Sequence, residues 1–486
     1  MIRIDIRRFL VLPAALVLLG SMLGSVCEDE TIVEVERPFF DDPPAMAAGF
    51  LGYDEEVVNL TTCGNCHVGQ QAEWEETAHA GAWNDMQNSG IAQESCEVCH
   101  STGPNGNLMD TGGFVATGDA RYHDVQCESC HGPGETHVNF PDDTGPLASI
   151  KVGTDLTTGC GECHRASSGD HKPFVEEWSQ SQHGEGAHRP QYRQRETCRN
   201  CHGAQGALLA WGVNDVFIEK DTGEEIGIVC AVCHDPHDGT YSKQTRFALD
   251  ARDVDTNLCM KCHQRRAVPD EDNPQRGPHS PQGPLLLGEN VGWIPPNLEY
   301  DEGSIVATHG TERNPKLCAT CHVHQLEFTD PATGLQITGS GHLFEPIPCL
   351  DPAGVPTNAD ECEVEERSFD ACTAAGCHGT EDAARSAYTL AKDRIARLVE
   401  ELDSLLEQVP ASEFDNDDNI FTVAEGANFN AGLGDIRSSP IHNPFLTEAL
   451  LVASMDAVEE EYGVMNSLGV VDWDARLQAI KSRVGR

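Results

Sequence analysis

One five-residue pattern recurs along the chain, in which two cysteines are separated by two residues and a histidine follows at once. We number its eight copies motifs I to VIII. Their cysteines are Cys63 and Cys66, Cys96 and Cys99, Cys127 and Cys130, Cys160 and Cys163, Cys198 and Cys201, Cys230 and Cys233, Cys259 and Cys262, and Cys318 and Cys321. The histidines that end them are His67, His100, His131, His164, His202, His234, His263 and His322. This spacing is typical of c-type haem attachment, in which the two thiols add to the vinyl groups of haem and the histidine binds its iron.

A ninth, longer motif has four residues between Cys372 and Cys377 and then His378. The insert can bulge out between two thioether bonds, so motif IX also predicts a haem, which gives about nine covalently attached haem c groups. A CxxC pair can also be half a zinc site or a redox dithiol. Zinc ribbons need no histidine after each second cysteine, and a redox dithiol does not recur eight times, so both alternatives are disfavoured.

Twelve of the 21 histidines lie outside the motifs and are candidates for the second axial ligand of each iron. Nine of them are the better placed: His79, His123, His137, His183, His237, His279, His309, His342 and His442. His171, His188 and His324 are weaker candidates. Methionine ligation raises the reduction potential, but the chain has only 8 methionines. We therefore predict bis-histidine coordination with low potentials, while the sequence does not show which histidine serves which haem.

Two segments that follow a motif share the pattern Trp-x4-His, from Trp74 to His79 and from Trp178 to His183. Each predicts a short helix, a tryptophan packed on a haem and a histidine that reaches the iron of another haem.

Two further local patterns place a histidine at a defined position. Gly132-Pro133-Gly134 predicts a tight turn just before His137. His442-Asn443-Pro444 predicts the start of a helix, with Asn443 as its N-cap, which would hold His442 rigidly.

A long helix is predicted over residues 380–409, ended by Pro410. Its apolar residues alternate at intervals of four and three, which is a heptad stripe: Ala391, Ile395, Leu398, Leu402, Leu405 and Val409. The stripe predicts packing within the protein, and a coiled-coil dimer is the alternative.

The composition is lean for a large side-chain core, because hydrophobic residues are 39% and aromatic residues 6% of 486. We predict a mainly α fold with extensive loops and little sheet, in which haems supply the core, and long helices at the C-terminal end. Four regions are expected: a signal peptide at 1–27, an acidic linker at 28–60, a multihaem domain at 61–379 and a helical region at 380–486. Without haem we expect no folding, because haem burial replaces side-chain burial.

An export signal begins the chain, with Arg3, Arg7 and Arg8 ahead of an apolar stretch at 9–19 that is too short to span a bilayer with confidence. Export predicts a periplasmic, outer-membrane-associated or extracellular location. Cys27 follows, and it is either lipidated, which would attach the protein to a membrane, or removed with the signal.

Two other cysteines outside the motifs, Cys349 and Cys362, could form a disulfide in an oxidising compartment.

Acidic residues outnumber basic residues by 79 to 32, for a net charge of −47. Repulsion from phosphates excludes nucleic acid as a partner. The charge favours a basic redox partner or a positively charged surface, although solubility alone would also explain it. The donor and acceptor proteins do not follow from the sequence.

Three groups of residues resemble the multihaem c-type cytochromes, which include pentahaem nitrite reductases, hydroxylamine oxidoreductase and the periplasmic haem chains of outer-membrane electron conduits. They are Cys63–His67 with Trp74 and His79, Cys127–His131 with Gly132-Pro133-Gly134 and His137, and His442-Asn443-Pro444 ahead of a C-terminal helix. The resemblance covers about residues 61–460, and only its haem motifs are specific. It implies a chain of haems with little regular sheet and long C-terminal helices. The CxxCK motif of the pentahaem nitrite reductases is missing from this sequence, which weakens an enzymatic interpretation, although octahaem relatives can keep CxxCH at a catalytic haem.

The leading hypothesis is an electron carrier in which about nine bis-histidine haems connect a periplasmic or membrane donor with a periplasmic or external acceptor. One alternative is a multihaem oxidoreductase of the nitrite, hydroxylamine or tetrathionate type, with one open iron face, for which the irregular motif IX is a candidate. Another is a homo-oligomeric subunit of an extracellular cytochrome filament. The carrier is favoured because the supply of histidines matches nine irons.

Overall fold

Short helices joined by loops make up the described chain before residue 380. The computed structural model describes residues 49–103, 112–142, 159–166, 171–186, 190–213, 226–264, 277–329 and most of 334–484. The predicted signal peptide, Cys27, most of the predicted linker and His188 lie outside these residues.

The α-helices of this part are four to eight residues long. They are Val68–Glu75, Ala82–Asn88, Glu97–His100, Gly113–Thr117, Cys127–His131, Glu135–Asn139, Phe174–Gln180, Gln182–Gly186, Pro190–Arg193, Glu196–His202, Ala204–Ala210, Cys230–Cys233, Gln282–Leu287, Cys318–His322 and Asp370–Ala374. Single 3₁₀ turns lie between them at Glu56–Val58, Cys63–Asn65, Ala78–Gly81, Glu94–Cys96, Ala120–Tyr122, Gly159–Glu162, Ser242–Gln244, Cys259–Lys261, Thr308–Gly310 and Val364–Glu366, and one more follows in the C-terminal part at Ala411–Phe414.

Sheet in the described residues is limited to three antiparallel two-stranded pairs. They are Tyr53–Glu55 with Leu60–Thr61, Glu327–Thr329 with Gln336–Thr338, and Cys349–Leu350 with Pro356–Thr357. The disulfide predicted between Cys349 and Cys362 is present and anchors the last pair. This mainly α architecture with little sheet confirms the predicted fold class.

Longer helices pack together after residue 380: Glu381–Leu406, Val423–Asp435, Ser439–His442, Pro444–Tyr462 and Trp473–Lys481. Side chains cap several of them as their sequences predict. Thr422 and Glu425 form a capping box, and Asn443 accepts a hydrogen bond from the Leu446 backbone N–H (3.2 Å). None of the helices in the described ranges has the length and apolar character needed to span a bilayer.

Most of the predicted heptad stripe, which runs from half-buried Ala391 to Val409 just beyond the helix Glu381–Leu406, lies inside this bundle. Ile395, Leu398, Leu402, Leu405 and Val409 are all buried in one apolar cluster with the neighbouring helices. The predicted packing role of the stripe is therefore confirmed. The short helix Gln282–Leu287 and the loop after it join the same cluster, through Leu285 of the helix and Val291, Leu298 and Ile305 of the loop.

The helix Val423–Asp435 attaches the bundle to that loop. The Asn430 side chain accepts from the Trp293 backbone N–H (3.0 Å) and donates to the Trp293 carbonyl (2.8 Å). Gly426 lies flat against the Trp293 ring, where a Cβ atom would come within 2.2 Å of a ring carbon.

Candidate haem-binding sites

Each motif folds into a short turn, and in motifs I to VIII the spacing of the cysteines places them on one side of it. Residues three apart share one face of a helical turn, which is the spacing of the cysteines in motifs I to VIII. In motif I the His67 backbone N–H donates to the Cys63 carbonyl (2.9 Å). Motif IX makes the same closure despite its insert, because the His378 N–H donates to the Cys372 carbonyl (3.2 Å). Gly376, with a φ of 72°, makes the necessary turn.

The ring of each motif histidine lies opposite the ring of one histidine from outside the motifs. The distances between ring centres fall between 6.1 and 6.3 Å in all nine cases. The pairs are His67 with His137, His100 with His171, His131 with His237, His164 with His79, His202 with His279, His234 with His342, His263 with His183, His322 with His442, and His378 with His309.

This separation is the one that a shared metal ion requires. Metal–imidazole bonds are about 2.0–2.1 Å long, and a ring nitrogen lies about 1.1 Å from its ring centre, so two imidazoles on opposite sides of one ion have centres about 6.3 Å apart. Rings stacked in direct contact would lie closer, as Trp83 and His123 do at 4.0 Å. The residues of all nine motifs therefore fit a haem c held by two thioethers and two histidines.

Hydrogen bonds fix the orientation of several of these rings. The Nδ1 atoms of His100, His234, His309 and His322 lie 2.8 to 2.9 Å from backbone carbonyl oxygens of Ala82, Lys243, Ile441 and Phe344. Because a carbonyl can only accept, each Nδ1 carries the proton, and Nε2 keeps its lone pair for a metal.

Burial keeps other members of the pairs neutral. It lowers the pKa of His183 and of His442 to about 3 and that of His79 and of His342 to about 4. Iron binds the neutral imidazole, so these rings are ready to ligate at neutral pH without losing a proton.

Two side chains position distal histidines through the backbone. The Glu177 carboxylate accepts hydrogen bonds from the His342 N–H (2.8 Å) and the Ser340 hydroxyl (2.6 Å). Asn443, next to His442, donates to the carbonyls of Leu285 (3.1 Å) and Ile305 (2.7 Å). Sequence reasoning missed Glu177 because its partners lie more than 160 residues away.

Two histidines differ from the expectation for distal ligands: His171 is part of a ring pair, and His123 is not. His171, one of the weaker candidates, faces His100 at 6.3 Å. His123 instead stacks on Trp83 at 4.0 Å and has its Nδ1 atom 3.2 Å from a Glu56 carboxylate oxygen. The other weak candidate in the described chain, His324, is bonded to Asp370 (2.8 Å). The nine ring pairs thus contain eight of the nine favoured histidines together with His171.

The two Trp-x4-His segments have the same local geometry. The Trp74 indole N–H donates to the Val125 carbonyl (3.0 Å), and the Trp178 indole donates to Ile228 (3.1 Å). Each acceptor lies two residues before a motif, III or VI. As the pattern predicts, the histidine of each segment faces the histidine of another motif.

Thiols of different motifs contact one another and show which motifs are neighbours. A neighbouring thiol from another motif raises the pKa of Cys63 (beside Cys127), Cys163 (beside Cys99), Cys230 (beside Cys160), Cys262 (beside Cys201) and Cys318 (beside Cys259). Electrostatic interactions link Cys130 with Cys163, Cys233 with Cys262 and Cys321 with Cys377. The spatial order of the motifs is therefore I, III, IV, VI, VII, VIII and IX, with motif II beside IV and motif V beside VII.

Motifs II to VII form two equivalent sets of three. Motifs II, III and IV face His171, His237 and His79, whereas V, VI and VII face His279, His342 and His183. The first cysteines of matching motifs are 102, 103 and 99 residues apart, and the facing histidines 108, 105 and 104. We call these sets the first and second three-motif units. The spacing of 104 between the two tryptophans was the sequence signal for this repeat.

Comparison with known proteins agrees with these sites. A family model described as cytochrome c554 and c-prime matches residues 62–132, which hold motifs I to III. A second model, described as a doubled CXXCH motif, matches residues 223–268, which hold motifs VI and VII. No curated protein and no solved structure matches the chain. The two family matches support a multihaem c-type cytochrome that transfers electrons.

Proposed function

We propose that the protein is an electron-transfer wire of nine bis-histidine haems. The observation that carries this proposal is the set of nine ring pairs, each with one motif histidine and one distal histidine 6.1 to 6.3 Å apart. Each haem c, when bound, supplies an iron that takes up or releases one electron. The chain supplies both axial ligands, keeps them neutral and orients them, which favours low potentials.

The order of the wire follows the spatial order of the motifs. Seven motifs, from I through III, IV, VI, VII and VIII to IX, would form the main line. Motifs II and V would be side branches that join at IV and VII. Support comes from thiols of different motifs that are near enough for one to raise the pKa of the other, as Cys99 does for Cys163 and Cys201 does for Cys262.

The compartment in this proposal is outside the cytoplasm. The disulfide between Cys349 and Cys362 supports it, since disulfides persist in oxidising compartments. The apolar segment near the N-terminus is the expected export signal.

Electron paramagnetic resonance on the oxidised, haem-loaded protein, with a mass for the covalent haems, tests the wire. Nine haems and only low-spin signals are expected. A stoichiometric high-spin signal would reveal an open iron face and would favour the oxidoreductase alternative. His309 faces the motif IX histidine at 6.3 Å, so motif IX is expected to be low-spin as well.

A further inference from the structure

Three arginines surround motif V in a strongly acidic protein. Arg193 ends the helix Pro190–Arg193, Arg195 precedes the helix Glu196–His202, and Arg199 lies within the motif itself. Arg195 is exposed and the other two are half-buried, with the exposed Glu196 as the acidic neighbour in the same stretch. Three basic residues within seven positions are unusual where acidic residues outnumber basic ones by 79 to 32.

The matching place in the first three-motif unit has no such charge. At the displacement of 102 residues between motifs II and V, Ile91 corresponds to Arg193, Gln93 to Arg195 and Glu97 to Arg199. Glu94 and Asp85 near motif II are exposed and acidic. The arginines are therefore not required by the arrangement of three motifs, since the other unit forms it without them.

Motif V is also placed to meet a partner. It lies beside motif VII, off the main order of the motifs, since Cys201 is near enough to Cys262 to raise the pKa of that thiol. Its facing histidine, His279, is exposed. A branch of this kind ends at the protein surface, where another redox protein can approach.

We propose that Arg193, Arg195 and Arg199 form a docking surface for a small acidic electron-transfer protein, which exchanges electrons at the branch held by motif V. This inference rests on the proposed wire and adds to it the place and charge of one partner. The net charge of −47 repels an acidic protein from the rest of the surface, so a local basic cluster would select where it docks. Complementary charge governs association rate and orientation more than final affinity.

The test measures binding of an oxidised plant-type ferredoxin, which is an acidic one-electron carrier. Calorimetry with the haem-loaded protein at low ionic strength gives its affinity. The variant Arg195→Gln/Arg199→Gln should weaken binding by about tenfold, and 0.5 M salt should remove the difference. The matched control Lys392→Gln/Arg397→Gln removes the same charge from exposed positions of the helix Glu381–Leu406 and should change binding by less than about twofold.

The reciprocal variant moves the cluster to the first unit. Gln93→Arg/Glu97→Arg should create a second binding site for ferredoxin beside motif II. Reduction by the reduced ferredoxin gives a second readout, in which each ferredoxin loses one electron and one ferric iron becomes ferrous.

Equal weakening in the motif V variant and in the helix control would overturn the docking surface, as would the absence of ferredoxin binding to the unaltered protein. Neither result would affect the wire, whose haem count and low-spin signals are measured separately. If the double variant lost haem, the single change Arg195→Gln at an exposed position would carry the same comparison.

Discussion

The imidazole rings are oriented by hydrogen bonds as well as by the metal they would share. In four of the paired histidines the Nδ1–H donates to a backbone carbonyl, as His322 does to Phe344 (2.8 Å). Such a bond fixes the tautomer and makes Nε2 a stronger donor to iron. Stronger donation stabilises the ferric state, so these contacts favour low potentials.

The difference between His171 and His123 gives a direct test of ligand assignment. We expect His171→Ala to convert one of the nine haems to high spin, because His171 faces His100 at 6.3 Å. His123→Ala, the matched control, should leave every haem low-spin, since His123 stacks on Trp83. Electron paramagnetic resonance of both variants decides between them. A high-spin signal from the His123 variant alone would reverse the assignment.

At this scale the motif alone predicts the proximal ligands. The candidate distal ligands come from distant chain segments that meet only in the fold, as with His131 and His237. Nothing near His123 in the sequence shows that its ring stacks on Trp83 and lies beside the Glu56 carboxylate. Counting histidines against irons predicted the type of coordination, whereas pairing required the structure.

At the scale of elements, each Trp-x4-His segment links a short helix to the segment just before a distant motif, which is motif III for Trp74 and motif VI for Trp178. Trp74 and Trp178 are both buried, and each holds a carbonyl close to a motif. This hydrogen bond helps to position the histidine five residues later, His79 or His183, opposite the histidine of the motif that it faces.

Replacing either tryptophan should destabilise its own unit. Trp74→Phe leaves the Val125 carbonyl unpaired, and Trp178→Phe does the same at Ile228, at a cost of about 1–3 kcal/mol each. Thermal unfolding followed by the haem spectrum should show comparable decreases in melting temperature for the two variants. No decrease in either would mean that the hydrogen bonds do not stabilise the modules.

The C-terminal helices have a conventional side-chain core. Leu402 is fully buried, so Leu402→Ala should cost about 2–5 kcal/mol of unfolding free energy. Leu390, on the same helix and 66% exposed, provides the control, and its replacement by Ala should have little effect. Light scattering should give one molecular mass for both variants. A change in mass without a loss of stability in the Leu402 variant would instead indicate a dimer interface.

The heptad pattern predicted this helix and its apolar stripe, and the structure ends it at Leu406 rather than at residue 409. Local periodicity is enough for an element whose partners are ordinary apolar side chains. It could not show that Leu285 and Ile305, from a short helix and the loop after it about 100 residues earlier, complete the same core.

At the scale of the molecule, the chain combines two kinds of interior. Before residue 380 the helices are short, and in the part that the structure describes the buried apolar side chains form small clusters such as Tyr53, Trp74 and Ala80. After it, one large apolar cluster dominates. The repeat of three-motif units is weak in the sequence, because the intervening residues differ and the Trp-x4-His segments are its main signal outside the motifs.

Loss of haem should therefore unfold the two parts unequally. We expect a chain produced without haem attachment to lose protection of its backbone amides throughout the motif region, because haem replaces side-chain burial there. The helices Glu381–Leu406 and Pro444–Tyr462 should retain partial protection through their own core. Hydrogen exchange followed by mass spectrometry measures both. Uniform exchange over the whole chain would show that the bundle also depends on haem.

The ring pairs also imply an order in which the irons would gain their second ligands as the chain is made. His79, His183 and His309 precede the motifs that they face, so these candidate ligands would be synthesised before those motifs. Six others follow their motifs, and His442 comes last, 120 residues after His322. The iron at motif VIII would thus wait longest for its second ligand, and it would receive it only when the C-terminal helices close. Maturation of this protein would end with that step, so a nascent or truncated chain would carry one reactive iron that the finished protein hides.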